Sequence, residues 1–370
     1  MSNCSKKILI ISYVIRNKTG GGTINQRNIN LLKNTFSDLS VLYIDPDSPK
    51  ARVSMWGKLR DRLRGVVGGL SAAYLEQIKK TIAAQQPDIV FLNQSLFGAV
   101  AKVAKKTAPA ARVITFFHNC EAQYHQSMYR IDRSAVTYIN LISSRKAEHM
   151  AVRYSDQLIA MNSRDAENIR KLYGKSIDLL LPTSFTDNGG ASYAPSPTGK
   201  PLELLFVGFN FFANVHGLEW FCREVMPRID NARLTIVGRE MEQERTRFES
   251  ENVRVIGSVD DLVPYYTTAD MVVSPIFIGS GMKTKTAEAL MYARPLLATA
   301  EALEGYDIDP MMIGAQCDTA EQFIKHINYF SRHKEALIEK SAYARNVFAS
   351  QYSQAVVQRK FEQFICRVEQ

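Results

Sequence analysis

Residues 271–299 read MVVSPIFIGSGMKTKTAEALMYARPLLAT. An apolar run from Met271 to Ser274 leads into a turn carrying Gly279-Ser280-Gly281, a helical segment follows from about Met282 to Ala293, and a second apolar run begins after Pro295. That order predicts a strand, a turn, a helix and a second strand. Two glycines let backbone come close to a ligand, the helix start presents unbonded N–H groups, and Lys283 and Lys285 add positive charge. A diphosphate suits such a turn. Glu288 follows within the helix, and because helical side chains lean toward the N-terminus it can reach back toward the turn, where a ribose hydroxyl is its expected partner. The competing reading is a tight turn followed by two solvated lysines, and this stretch alone does not choose between them.

The rest of the chain adds weight. Its 370 residues, 46% hydrophobic and 22% charged, fit an ordinary globular protein of about two domains. No apolar run approaches the roughly 18 residues of a membrane span, and the start MSNCSKKILIIS passes straight into a strand, so neither a span nor a signal peptide is expected. A cytoplasmic location is expected. Five widely spaced cysteines without metal-ligand spacing predict free thiols in a reducing compartment. The net charge of +9 implies an anionic partner, either phosphorylated small molecules or an acidic membrane surface. Nucleic acid is the weakest class, since no zinc-finger spacing, aromatic RNA-binding motif or basic tail is present.

Lys7 to Ser12 (KILIIS) predicts a first strand, followed by Gly20-Gly21-Gly22 and a helical segment from Ile24 to Asn34, which is the opening of a Rossmann-like half. The G-x-G-x-x-G spacing is absent, which disfavours a nicotinamide enzyme. Arg27 and Asn28, in the first turns of that helix, are placed to meet an anionic group of a substrate, although a solvated helix start is the commoner fate of such residues. Further strands are predicted at Leu39 to Ile44, Ile89 to Leu92, Arg112 to Phe116, Gln157 to Met161 and Asp178 to Leu181, with helices between. The pattern breaks over Pro182 to Lys200, rich in Gly, Ser, Pro, Thr and Asn, and resumes at Leu202 (LELLFVG), Leu234 (LTIVG) and Val253 (VRVIG). Two α/β domains are therefore expected, over 1–185 and 201–349, joined by a linker at 186–200 and followed by a C-terminal helix at 350–370. Separately, KARVSMWGKLRDRLRG (Lys50 to Gly65) reads as a basic amphipathic helix with an aromatic anchor, suited to anionic lipid; a charged surface helix is the alternative.

The second half resembles the nucleotide-binding domain of the group 1 glycosyltransferases, a large retaining family, glycosyltransferase family 4-like, with the GT-B fold. The likeness rests on LLFVGFNFFANVHGLEWFCREVMPRI (Leu204 to Ile229), LTIVG (Leu234 to Gly238), VRVIGSVDDLVPYYTTADMVVSPI (Val253 to Ile276) and GSGMKTKTAEALMYARPLLAT running on to EALEG (Glu301 to Gly305). The glycine loop, FFHNCE (Phe116 to Glu121) and YSDQLIAMNSRDAENIRKLYG (Tyr154 to Gly174) resemble the family's acceptor-side domain less strongly. The resemblance implies two Rossmann-like domains facing an interdomain cleft, with the C-terminal helix packing back on the N-terminal domain. It implies a nucleotide diphosphate-sugar donor, a saccharide or lipid-linked acceptor, retention of configuration, and neither metal nor cofactor. By position, Glu288 binds the ribose, Gly281 and the amide of Met282 face the diphosphate, and His118 lies near the transferred sugar with Asn119 and Glu121 beside it. Gly21 and Gly22 close over the diphosphate or acceptor. The Gly238–Arg239 turn lies near the base, and Gly208 is counted among the nucleotide-sugar contacts.

Two departures stand out. Ser280 occupies the position of the family's first glutamate, eight residues before Glu288, which leaves the donor sugar open. Phe209, and Asn214 to His216, stand where the family often carries an arginine and a lysine, so Lys283 or Lys285 is expected to supply the missing charge. The expected activity is sugar transfer in cell-surface polysaccharide assembly, with peripheral association at the inner face of the cytoplasmic membrane through 50–65. A nucleotide-sugar epimerase of the same fold and a non-catalytic nucleotide-sugar-binding relative are the alternatives.

Overall fold

A computed structural model describes residues 6–15, 20–188, 193–279 and 281–366, with backbone alone at Gly20 and Gly21. The chain divides into two compact units: Met1–Pro182 together with Gln358–Gln370, and Thr183–Val357.

Unit 1 is built on a parallel sheet of β1 (Ile8–Tyr13), β2 (Leu39–Ile44), β3 (Ile89–Leu92), β4 (Arg112–Phe117), β5 (Gln157–Ala160) and β6 (Leu179–Leu180), in the order β2-β1-β3-β4-β5-β6. A central parallel strand is covered on both faces, so it must be apolar at consecutive positions rather than alternating. β1 meets that demand, with Ile8, Leu9, Ile10 and Ile11 all fully buried. Ile8 stands in register with Leu39 on one side and Ile89 on the other. Because the chain leaves β1 in one direction for β2 and returns on the other side for β3, the strand order reverses between β1 and β3. Ligand sites in open α/β sheets form beyond the strand carboxyl ends at such a reversal. The final helix, Gln354–Ile365, belongs to unit 1 from Gln358 onward. There Gln358 donates to Leu31 O (3.1 Å) and Thr35 Oγ1 (3.0 Å), and the buried Phe361 ring stands edge-on to Phe91. Burying one such ring contributes roughly 1.5–3 kcal/mol.

Unit 2 repeats the plan with β7 (Leu202–Val207), β8 (Ala232–Val237), β9 (Val253–Gly257), β10 (Met271–Ser274), β11 (Leu296–Ala298) and β12 (Gly314–Gln316), ordered β12-β11-β10-β7-β8-β9. Its reversal lies between β7 and β10, and β10 is the strand that opens the 271–299 stretch. The helix after that strand spans Thr284–Met291, shorter than the periodicity predicts at both ends.

Residues 193–200, linker-like in composition, are held on unit 2. The Tyr193 hydroxyl donates to Asp270 O (3.0 Å), Ser196 N donates to Asp270 Oδ1 (2.6 Å), and the buried Lys334 ammonium donates to Lys200 O (2.8 Å) and Pro201 O (3.2 Å). Composition shows only that a segment lacks a periodic apolar face. It cannot show that a distant aspartate and lysine bind its backbone.

The basic segment forms a short turn at Pro49–Ala51 and a helix at Met55–Leu63. Met55 is 79% and Trp56 76% exposed, with Leu59 and Leu63 also exposed among Lys58, Arg60, Arg62 and Arg64. The end of this helix is tied to the helix Ala135–Tyr154 by Lys146 Nζ, which donates to Leu63 O (2.6 Å). No described helix is long and apolar enough to cross a membrane.

Candidate active site

In unit 2 the chain leaving β10 is fixed at once: Thr299 donates its backbone N–H to Ser274 O (3.2 Å) and its hydroxyl to Ile276 O. It then passes a buried Gly281 at φ +64°, a conformation glycine adopts without strain. Lys283 precedes the helix, and Tyr306 holds the start: its hydroxyl donates to Lys283 O (2.7 Å) and accepts from Ala287 N (3.2 Å). Met282 is buried, and Ser280 lies outside the described residues.

The two lysines have different surroundings. Lys283 Nζ pairs with Glu301 Oε1 at 2.5 Å and donates to Gly281 O at 2.9 Å, so a carboxylate already balances its charge. Lys285 Nζ donates instead to the neutral Asn214 Oδ1 (2.6 Å) and lies 4.3 Å from the centre of the Phe206 ring. Asn214 is oriented by its own donation from Nδ2 to Phe209 O (2.8 Å). A Cβ on Gly208 would come within 2.9 Å of both Lys285 Nζ and Asn214 Nδ2, so a side chain there would push those two polar ends aside. Burial lowers the Lys285 pKa to about 7; the Glu288 carboxylate opposes that shift and Lys283 adds to it. Burial likewise raises Glu288 to about 7 against the pull of Lys285.

Gly238 stands beside Gly208: its φ is +153°, and a Cβ there would meet Gly208 O at 1.9 Å. Arg239 is exposed, lies over the Phe209 ring and pairs with Glu240 at 3.6 Å. Gly208, Gly238, Lys285 and Glu288 thus gather at the β7–β10 reversal, where a ligand would meet a cation, a carboxylate and bare backbone.

In unit 1 the glycine stretch is the first turn of a helix, Gly20–Thr35, so Gly21 and Gly22 are helical rather than a loop. Asn93, at the end of β3, organises the β1–β3 reversal. Its Nδ2 donates to Ser12 Oγ (3.2 Å) and Asn25 O (3.2 Å), its Oδ1 accepts from Asn28 Nδ2 (2.7 Å), and its carbonyl lies 3.1 Å from His118 Nε2. A carbonyl only accepts, so the His118 proton is on Nε2 and Nδ1 keeps a bare lone pair. Burial, with Arg27 as second cause, lowers the His118 pKa to about 3, while the bond to Asn93 opposes the shift. His118 is therefore a neutral hydrogen-bond acceptor. Glu121, beside it, is raised to about 8 by burial and by the neighbouring carboxylates of Glu148 and Asp165.

The loop after β4 has its own support. Buried Glu148 accepts from the amides of Glu121 (2.8 Å) and Ala122 (3.1 Å) and from the Tyr173 hydroxyl (2.8 Å), capping the helix Glu121–Ile131. Sequence reasoning did not single out Asn93 or Glu148. A polar residue directly after an apolar strand was an available signal for Asn93; nothing local marks Glu148, which sits inside a long helix.

Residues 201–332 match the family described as glycosyl transferases group 1. None of the curated proteins matches the chain. Among solved structures, sucrose-phosphate synthase from Thermosynechococcus elongatus is similar at a TM-score of 0.72 with 14% identity, covering 97% of this chain and 98% of that one. The lipopolysaccharide outer core galactosyltransferase WaaB superposes at 0.68 with 13% identity over 97% and 99% of the two chains. HepE from Anabaena, solved with UDP-glucose, superposes at 0.67 with 13% identity over 97% and 98%. The fold is GT-B, with two Rossmann-like units, and residues 201–332 match the group 1 glycosyltransferase family.

Proposed function

With a group 1 glycosyltransferase domain as the premise, we propose that this protein transfers a sugar, with retention of configuration, from a nucleotide diphosphate-sugar to a saccharide or lipid-linked saccharide in cell-surface polysaccharide assembly. The observation that carries this reading is Lys285, a cation with a neutral partner at the β7–β10 reversal, three residues before Glu288. Lys285 and the amides after Gly281 take the leaving diphosphate, an electrostatic role a metal would otherwise fill. Lys283, balanced by Glu301, positions the turn. Glu288 accepts from the ribose hydroxyls, and His118 Nδ1 accepts from a sugar hydroxyl. Support comes from HepE, solved with UDP and with UDP-glucose. UDP-glucose is accordingly the first donor to try.

Thermal unfolding against a panel of nucleotide-sugars tests the reading, since a ligand bound only by the folded state raises Tm. No shift with any donor overturns it. Donor incubated alone must remain unchanged, because an epimerase would convert it without acceptor. Turnover in EDTA equal to that in magnesium is expected, and loss in EDTA would contradict metal-independent transfer.

The helix Met55–Leu63 further supports peripheral attachment to an anionic cytoplasmic membrane face: its exposed Met55 and Trp56 enter the interface while its basic residues meet the headgroups. Sedimentation with anionic vesicles at low salt, lost in Trp56→Glu, is the expected result; no binding by the parent protein removes this role.

A further inference from the structure

Arg27, in the helix Gly20–Thr35, is 7% exposed. Its Nε, Nη1 and Nη2 are each buried, and none has a hydrogen-bond partner. Its guanidinium carbon lies 5.5 Å from the centre of the Phe116 ring, and that ring stands edge-to-face with His118 at 5.3 Å. Next to it, Asn28 Oδ1 is also buried and unpartnered. Its orientation follows from its neighbours: Asn93 uses its amide N–H groups on Ser12 and Asn25, so its oxygen must accept from Asn28 Nδ2, leaving Asn28 Oδ1 bare.

A guanidinium keeps its proton under ordinary conditions, so Arg27 is a cation whether or not anything faces it. Contact with the face of Phe116 offsets part of the lost hydration, but it satisfies none of the in-plane N–H donors. A sugar hydroxyl would engage one or two of those donors and leave the charge unbalanced. A carboxylate or phosphate does both, because two of its oxygens match the planar fork of the guanidinium.

We propose that Arg27 anchors an oxyanion site in unit 1 that takes the phosphate or carboxylate of the sugar acceptor, so that the acceptors are anionic saccharides. Asn28 Oδ1 then accepts a hydroxyl of the same residue. This rests on the transferase reading, in which Lys285 of unit 2 holds the donor diphosphate.

The full chain and its Arg27→Met and Arg27→Lys variants test the site. Without ligand, Arg27→Met unfolds at or above the parent's Tm, because it removes an unpaired buried charge; a clear drop would make Arg27 structural and overturn the site. In saturating inorganic phosphate or glucuronate, against sodium chloride at matched ionic strength, the parent's Tm rises by about 2–5 °C. Arg27→Met gains nothing, and Arg27→Lys, with charge but no fork, gains less. No anion-specific rise in the parent overturns the site. UDP affinity in Arg27→Met stays within about threefold of the parent's, whereas a loss of about tenfold or more, some 1.4 kcal/mol, would assign the oxyanion to the donor. In the transfer assay, KM for an anionic acceptor rises at least about tenfold in Arg27→Met while KM for its neutral analogue does not. Equal KM changes overturn the acceptor assignment. Arg27-dependent anion binding in a protein that transfers no sugar sinks the transferase reading and leaves the oxyanion site standing.

Discussion

Replacing Lys285 with methionine keeps most of the stem over Phe206 and removes the ammonium that meets Asn214. At about 4 Å from a phosphate oxygen, with an effective dielectric of about 20, that ammonium gains about 4 kcal/mol of Coulomb energy. Desolvation and the surrendered hydrogen bond to Asn214 reduce the net, leaving about 2–3 kcal/mol, or roughly 30- to 150-fold in nucleoside diphosphate affinity. The pH dependence adds a second signature. Lys285 is held at about 7 in the ligand-free protein, chiefly by burial. A bound diphosphate favours the protonated form and raises that value, so affinity is full below about pH 7 and falls roughly tenfold per unit as pH rises toward the bound-state pKa. On the acid side Glu288, raised to about 7, must lose its proton to accept from ribose, so affinity also falls as pH drops. Calorimetric titration with UDP from pH 5.5 to 9 should show both limbs in the parent and only the acid limb in Lys285→Met. That acid limb should move to higher pH, because Lys285 is what pulls Glu288 down. Affinity in Lys285→Met within threefold of the parent at pH 6.5, or an intact alkaline limb, would refute the assignment.

Glu148→Ala leaves two helix amides and the Tyr173 hydroxyl without their buried acceptor and should destabilise the protein by about 2–4 kcal/mol in urea denaturation, with Glu148→Gln costing less. A change under 1 kcal/mol in Glu148→Ala would show the cap to be idle. Gly238→Ala drives a Cβ into Gly208 O and should cost about 3 kcal/mol or more, against about 1–2 kcal/mol for Gly174→Ala, which has a left-handed φ but open space around it. Equal losses in the two would contradict the close approach of the two glycines. The His118 ring should show the Nε2–H tautomer by nitrogen NMR and no titration between pH 8 and 5. Since its folded pKa lies below the unfolded value near 6.5, the unfolded state binds the extra proton, and stability should fall as pH drops from about 6.5 toward 3. A titration midpoint between pH 6 and 7 would mean that the ring is not buried as described.

Strand positions and fold class follow from local pattern. Consecutive apolar residues at Ile8–Ile11 and Met271–Val273 specify strands covered on both faces, and the turn after Ser274 carries its glycines and lysines in plain view. The charge near that turn was legible too, but only as a pair. Assigning Lys283 to Glu301 and Lys285 to Asn214 needs contacts across 18 and 71 residues, which no local spacing contains. Arg27 shows the same limit from the other side. A polar residue in the first turns of a helix is ordinarily solvated, and its sequence neighbours say nothing against that. Phe116, on β4, lies against its guanidinium, with His118 just beyond that strand edge-on to the ring, and its donors are buried without partners. Periodicity along the chain is set by the geometry of a single element, so the amino-acid sequence by itself determined two α/β units and a glycine turn suited to phosphate. Burial and partnership arise only when distant elements meet, and so tertiary structure alone decided which cations are already balanced and which stand ready for an anion.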